Sequence, residues 1–125
     1  MSDTVRVLLV DEDRDVLAVT REFLEQEGPT LDVTTATSTD GAVEHVTADA
    51  VDVVVTDLTM PEMDGVELAN AVHDRDPDLP CVLYTAHDEA TVRAEYDTTL
   101  SGHVRKRTGT DQYAELADLV RDLAD

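Results

Sequence analysis

The sequence has no tryptophan, one phenylalanine and three tyrosines in 125 residues. Its core must therefore be aliphatic, built from Val, Leu and Ala. Cys81 is the single cysteine, which excludes an internal disulfide; a thiol inside an apolar strand is most simply a small buried residue. Bases are scarce, 9 against 29 acids, for a formal charge of −20. That deficit excludes nucleic-acid binding through a general basic surface, because phosphate neutralisation needs Lys and Arg. An anionic membrane surface is disfavoured for the same reason. No apolar run approaches the ~18 residues that span a bilayer. The opening MSDTVRV lacks the apolar stretch of a signal peptide. The expectation is one soluble, cytoplasmic domain over residues 1–125.

The acidity has a particular makeup. Asp outnumbers Glu 19 to 10, and Lys106 is the one lysine among eight arginines. Bulk acidity with lysine depletion suits a protein kept soluble in concentrated salt, where self-repulsion is screened over ~3 Å at 1 M. An ordinary acidic protein is the alternative.

Strand-length apolar runs alternate with helix-length polar segments. Val5–Val10 reads as the first strand, followed by a helix over Arg14–Glu27 with Val16, Val19, Phe23 and Leu24 along one side. Gly28-Pro29 stops it. Leu31–Ala36 alternates and reads as an edge strand. Ser38-Thr39-Asp40 offer caps for a short helix holding Ala42, Val43 and Val46. Val51–Thr56, apolar but for Asp52 and Thr56, reads as a central parallel strand covered on both faces. Pro61 and Gly65 punctuate the next loop, and a helix over Gly65–Arg75 turns Leu68, Ala69 and Val72 inward before Asp76-Pro77-Asp78 breaks it. Cys81–Thr85 is the fourth strand, Glu89–Thr98 a helix with a thin apolar stripe, and His103–Lys106 a short fifth strand. A last helix over Asp111–Ala124 carries Tyr113, Leu116, Ala117 and Val120 at helical spacing. Strict alternation of this kind predicts an α/β doubly wound parallel sheet. The chain ends on that helix, so any output domain is expected outside it.

In such sheets ligands bind at the carboxyl ends of the strands. Strand one ends in Asp11-Glu12-Asp13, strand three in Asp57, strand four in Thr85 and strand five in Lys106. Gathered carboxylates repel one another unless a cation joins them, and Mg²⁺ accepts loop oxygens with waters completing its octahedron. A carboxylate is also a nucleophile toward a phosphoryl group, whose oxygens a metal, a lysine and a hydroxyl can neutralise. Asp57 is then the candidate acceptor, Asp11 and Glu12 the metal carboxylates, Lys106 the phosphate counter-ion and Thr85 the hydroxyl donor. Single acids at loop starts are common in so acidic a chain. The one lysine landing at the required strand end is not.

The runs VLLVDED at 7–13, VVVTDLTMPEMDG at 53–65, LYTA at 83–86 and GHVRK at 102–106 resemble the receiver domain of two-component response regulators. The resemblance covers essentially the whole chain, and D-x-x-M-P-x-M-D-G at 57–65 is its most specific part. It implies a flavodoxin-like (βα)5 sheet of order 2-1-3-4-5. It implies phosphoryl transfer to Asp57 from the phosphohistidine of a histidine kinase or phosphotransfer protein, in a phosphorelay. It implies Mg²⁺ (or Mn²⁺) held by Asp11, Glu12, Asp57 and the backbone carbonyl of Thr59. The protein would catalyse its own phosphorylation and slow dephosphorylation. Thr85 and the residue at 103 would act as the switch, reshaping a face of the 89–98 helix, the fifth strand and the last helix for an output domain or partner. Taken with the composition, the resemblance suggests a halophilic archaeal source.

Three positions depart from the family pattern. Glu12 replaces the usual Asp, His103 the usual Tyr or Phe, and Arg107 a proline that normally follows a cis bond; before a non-proline that bond costs ~3–4 kcal/mol. These departures leave a pseudo-receiver, an interaction module not switched by phosphorylation, as the rival reading. Other chemistries fit less well. His73-Asp74 and His87-Asp88 as phosphohydrolase pairs need a larger helical scaffold. Cys81, His87 and His103 lack zinc-ligand spacing. The acidic first loop would repel a flavin phosphate, and no G-x-x-x-x-G-K-[ST] loop is present. His45 and His73 are expected on solvated helix surfaces.

Overall fold

The computed structural model describes residues 4–28, 30–48, 51–57, 65–85, 102–105 and 111–124. Its strands are β1 (Val5–Val10), β2 (Leu31–Ala36), β3 (Val53–Thr56), β4 (Cys81–Thr85) and β5 (Gly102–Arg105). Its helices are α1 (Arg14–Glu27), α2 (Thr39–Ala48), α3 (Gly65–Arg75) and α4 (Asp111–Ala124). All pairings are parallel, in the order β2-β1-β3-β4-β5. The expected helix at 89–98 lies outside the described residues.

β3 begins at Val53 rather than Val51 because Asp52 ends the ladder. The Asp52 N–H donates to the Arg6 carbonyl at 2.8 Å, while the Arg6 N–H donates to the Asp52 carboxylate at 2.8 Å. A side chain has taken the place of the next main-chain acceptor. β5 begins at Gly102, one residue earlier than expected. There a Cβ would stand 2.7 Å from Leu119 Cδ2, so a residue without one lets α4 pack against the strand.

Helices cover both faces. α1 and α4 pack on one, burying Val7, Leu9, Val33, Val55, Val82, Leu116 and Val120. α2 and α3 pack on the other, burying Leu8, Val10, Ala42, Val54, Leu68 and Val72. Burial of each such Val or Leu stabilises by ~1.5–3 kcal/mol. The inward face of α3 is the one the spacing predicts; α4 turns in the expected Tyr113, Leu116, Ala117 and Val120 and buries Gln112 as well. The stripe of α1 is not: Leu17, Thr20 and Leu24 are buried, Val16 and Phe23 only partly, and Val19 is 44% exposed. Positions 17, 20 and 24 share one helix face; Val19 falls outside it.

Local signals set the ends. The Asp13 carboxylate caps α1, accepting from the Asp15 and Val16 N–H groups at 2.9 and 3.3 Å, and the Gly28 N–H closes it on the Leu24 carbonyl at 3.0 Å. The Ser38 hydroxyl accepts from the Gly41 N–H at the start of α2. His45 and His73 are half-buried rather than solvated. His73 Nε2 lies 3.0 Å from the Leu79 carbonyl, which only accepts, so that nitrogen carries the proton. Among the described residues no helix is long and apolar enough to cross a membrane.

Candidate functional site

The register brings two acids together. Val10 pairs with Thr56, so the next rung holds Asp11 and Asp57 on strands ~4.8 Å apart. Main-chain bonds extend the ladder to this rung: the Asp57 N–H donates to the Val10 carbonyl at 3.1 Å, and the Asp11 N–H to the Ala36 carbonyl at 3.2 Å. Both carboxylates are thus carried by the rigid sheet. Asp11 is 4% exposed and Asp57 is half-buried.

The other candidates separate around that pair. Glu12 is exposed. Asp13 caps α1, and its N–H donates to Asp11 Oδ1 at 2.9 Å, fixing that carboxylate. Thr56 pairs with Leu83, which puts Tyr84 level with Asp57 and Thr85 one residue beyond, on the adjoining strand. Thr85 is 1% exposed and pairs with Arg105. His103 lies within β5, paired with Leu83. Thr59, Lys106 and Arg107 lie outside the described residues.

A complete cage of three His, Cys, Asp or Glu ligands does not occur among the described residues. Mg²⁺ needs less: it is held by one or two carboxylates and keeps several waters. Asp11 and Asp57 meet that requirement in donor type and in placement. A hollow of about 330 Å³ lined by Arg6, Asp32, Thr34 and His45 borders the early rungs of β1 and β2, and none of the candidate residues lines it.

One group of functional interest escapes a sequence reading. Tyr84, buried at 4% exposure, shares hydrogen bonds with the side chains of Gln112, Thr20 and Tyr113. Burial pushes its phenol well above the usual range, against the lowering effect of the Gln112 and Thr20 bonds. The apolar run CVLYT conceals this, because nothing local shows that Thr20 and Gln112 will be buried beside it.

Adjacent carboxylates at the carboxyl edge of a doubly wound parallel sheet define a flavodoxin-like α/β protein with an acidic site. Residues 7–118 match the response regulator receiver domain family, and the chain belongs to it. The chain is 37% identical over 89 residues to the C4-dicarboxylate transport transcriptional regulatory protein DctD of Rhizobium meliloti, covering 71% of this chain and 19% of that protein. It is 35% identical over 109 residues to the transcriptional regulatory protein PrrA of Mycobacterium tuberculosis, covering 86% of this chain and 42% of that one. The chain thus spans less than half the length of these relatives. Among solved structures it resembles the response regulator TrrA of Thermotoga maritima in complex with Mg²⁺ and BeF, with a TM-score of 0.83, 26% identity, and 96% and 99% of the two chains covered. A structure of the histidine kinase ThkA in complex with TrrA matches with a TM-score of 0.81 at 25% identity, covering 98% of this chain and 100% of that one.

Proposed function

We propose that this receiver domain is an active phosphoryl acceptor in a two-component phosphorelay, and that Asp57 takes the phosphoryl group from a phosphohistidine of a histidine kinase or phosphotransfer protein. The observation that carries this reading is the shared rung of Asp57 and Asp11, at the end of a strand buried along its whole length. One carboxylate oxygen of Asp57 forms the new bond to phosphorus as the phosphorus–nitrogen bond breaks, and the histidine nitrogen keeps the electron pair. Rigid presentation on β3 favours in-line approach. Mg²⁺, or Mn²⁺ in its place, would be held by Asp11, Asp57 and the Thr59 carbonyl, with the exposed Glu12 reaching it through a bound water, and would supply charge neutralisation for the phosphoryl oxygens. The Thr85 hydroxyl and the Lys106 ammonium take the remaining oxygens. Water attack later returns Asp57 to its free form.

The complexes of TrrA supply the analogy for partner and ligand; for this chain a kinase and Mg²⁺ are inferred. Phosphorylation draws Thr85 inward, His103 turns toward the vacated space, and the face of the 89–98 segment, β5 and α4 changes for an output domain or partner. We also read residues 1–125 as a single receiver domain of a cytoplasmic protein adapted to concentrated salt. Incubation with acetyl phosphate and Mg²⁺ should add one phosphoryl mass that hydroxylamine removes, and Asp57→Asn should abolish it. Equal labelling of Asp57→Asn would overturn the assignment. A wild type that takes no label would instead be a pseudo-receiver.

A further inference from the structure

Three of the four aromatic rings of this chain meet at one place. Phe23 of α1 stacks on Tyr113 of α4 at 4.7 Å between ring centroids, 8° from parallel, and Tyr84 of β4 tilts against Tyr113 at 6.4 Å and 56°. Two polar side chains are buried with them, Thr20 at 1% and Gln112 at 3% exposure. Both hydrogen-bond the Tyr84 phenol, so one hydroxyl ties β4 to two helices at once. Hydrogen bonds are directional where aliphatic packing is not, and this junction therefore fixes the last residues of the strand in position as well as depth.

Tyr84 stands level with Asp57 across the β3–β4 register and immediately precedes Thr85. Successive strand residues point to opposite faces, so anchoring Tyr84 among the helices sets where the next side chain is presented. We propose that Tyr84 is a positioning residue: its buried hydrogen bonds to Thr20 and Gln112 hold the end of β4 so that the Thr85 hydroxyl meets the phosphoryl group on Asp57. The inference rests on the reading of Asp57 as acceptor and Thr85 as donor, and it adds a residue that touches neither phosphate nor metal.

A double-mutant cycle tests it through the rate of labelling by acetyl phosphate with Mg²⁺. Tyr84→Phe, which keeps the ring and removes the hydroxyl, should slow labelling by about threefold or more, the range of an indirect contact. In a Thr85→Ala background the same change should make no further difference. Thr20→Val, nearly isosteric and on another element, should reproduce the slowing and serves if Tyr84→Phe folds poorly. General loosening of the fold would slow both backgrounds by the same factor. That result, or labelling of Tyr84→Phe and Thr20→Val at the wild-type rate, would overturn the proposal while leaving Asp57 the acceptor. A wild type that is not labelled at all would remove both readings together.

Discussion

The layer formed by α1 and α4 and the layer formed by α2 and α3 cover one sheet with different materials. The first holds Phe23, Tyr84 and Tyr113 together with buried Thr20 and Gln112. The second is aliphatic and largely small, with Ala36, Ala42, Ala69 and Cys81 among its buried residues and Val43 and Val46 only partly covered. Apolar contact fills volume without specifying orientation, whereas the hydrogen-bonded rings specify it. The difference suggests a division of roles in which one layer supplies burial and the other also sets the end of β4, where the site begins.

Equal holes cut in the two layers should cost unequal amounts. Leu116 on α4 and Leu68 on α3 are both fully buried, and truncating such a leucine to alanine costs ~2–5 kcal/mol, more where the surroundings cannot collapse. Leu116→Ala should lie near the upper end of that range, because the core cluster it shares with Tyr84 and Tyr113 is tied by ring contacts that relax little. Leu68→Ala should lie near the lower end, with small neighbours able to shift. Urea unfolding of both variants decides this, and equal or reversed costs would remove the distinction.

Alkaline titration separates the layers by chemistry. Burial pushes the Cys81 thiol from an ordinary 9.0 up to about 12, and it raises the Tyr84 phenol from 10.0 as well. A group whose pKa is higher folded than unfolded contributes stability fully below its unfolded value and loses it as pH rises toward the folded one. Stability should therefore fall from about pH 9 through Cys81, and more steeply once tyrosine ionises in the unfolded chain at about pH 10. Cys81→Ala should delay the onset, and Tyr84→Phe should flatten the later part. A urea midpoint constant from pH 8 to 11 in the wild type would contradict both burials.

Salt should act with the smallest effect and on both layers alike. With a formal charge of −20, self-repulsion is screened as ionic strength rises, so the thermal midpoint should climb by a few degrees from low to molar KCl. A flat response would leave the salt-adapted reading without support.

Much of this was legible in the sequence where a single period governs. The bounds of β1, β2, β4, α1, α3 and α4 follow from apolar spacing with caps and breakers. The inward residues of α3 follow from the same spacing. Reading fails where a residue is buried for a reason other than its own polarity. Val19 is apolar and outward, while Thr20 is polar and inward because the Tyr84 phenol receives it. Asp52 shortened β3 by putting a carboxylate where a carbonyl was expected. At the site, the strand-end rule placed Asp11, Asp57 and Thr85 on one edge of the sheet. It could not show that Glu12 is exposed while Asp11 is buried, since that depends on how the first loop leaves the strand and feeds the cap at Asp13.

The claim that the rung of Asp11 and Asp57 is the working site is tested most directly by amide NMR during a titration with Mg²⁺ and then beryllofluoride. Perturbations should begin at residues 11–13 and 57 with the metal and extend to Thr85 when the fluoride complex is added. Changes confined to outer acids, such as Asp15 and Glu22 of α1 or Asp74 of α3, would contradict it.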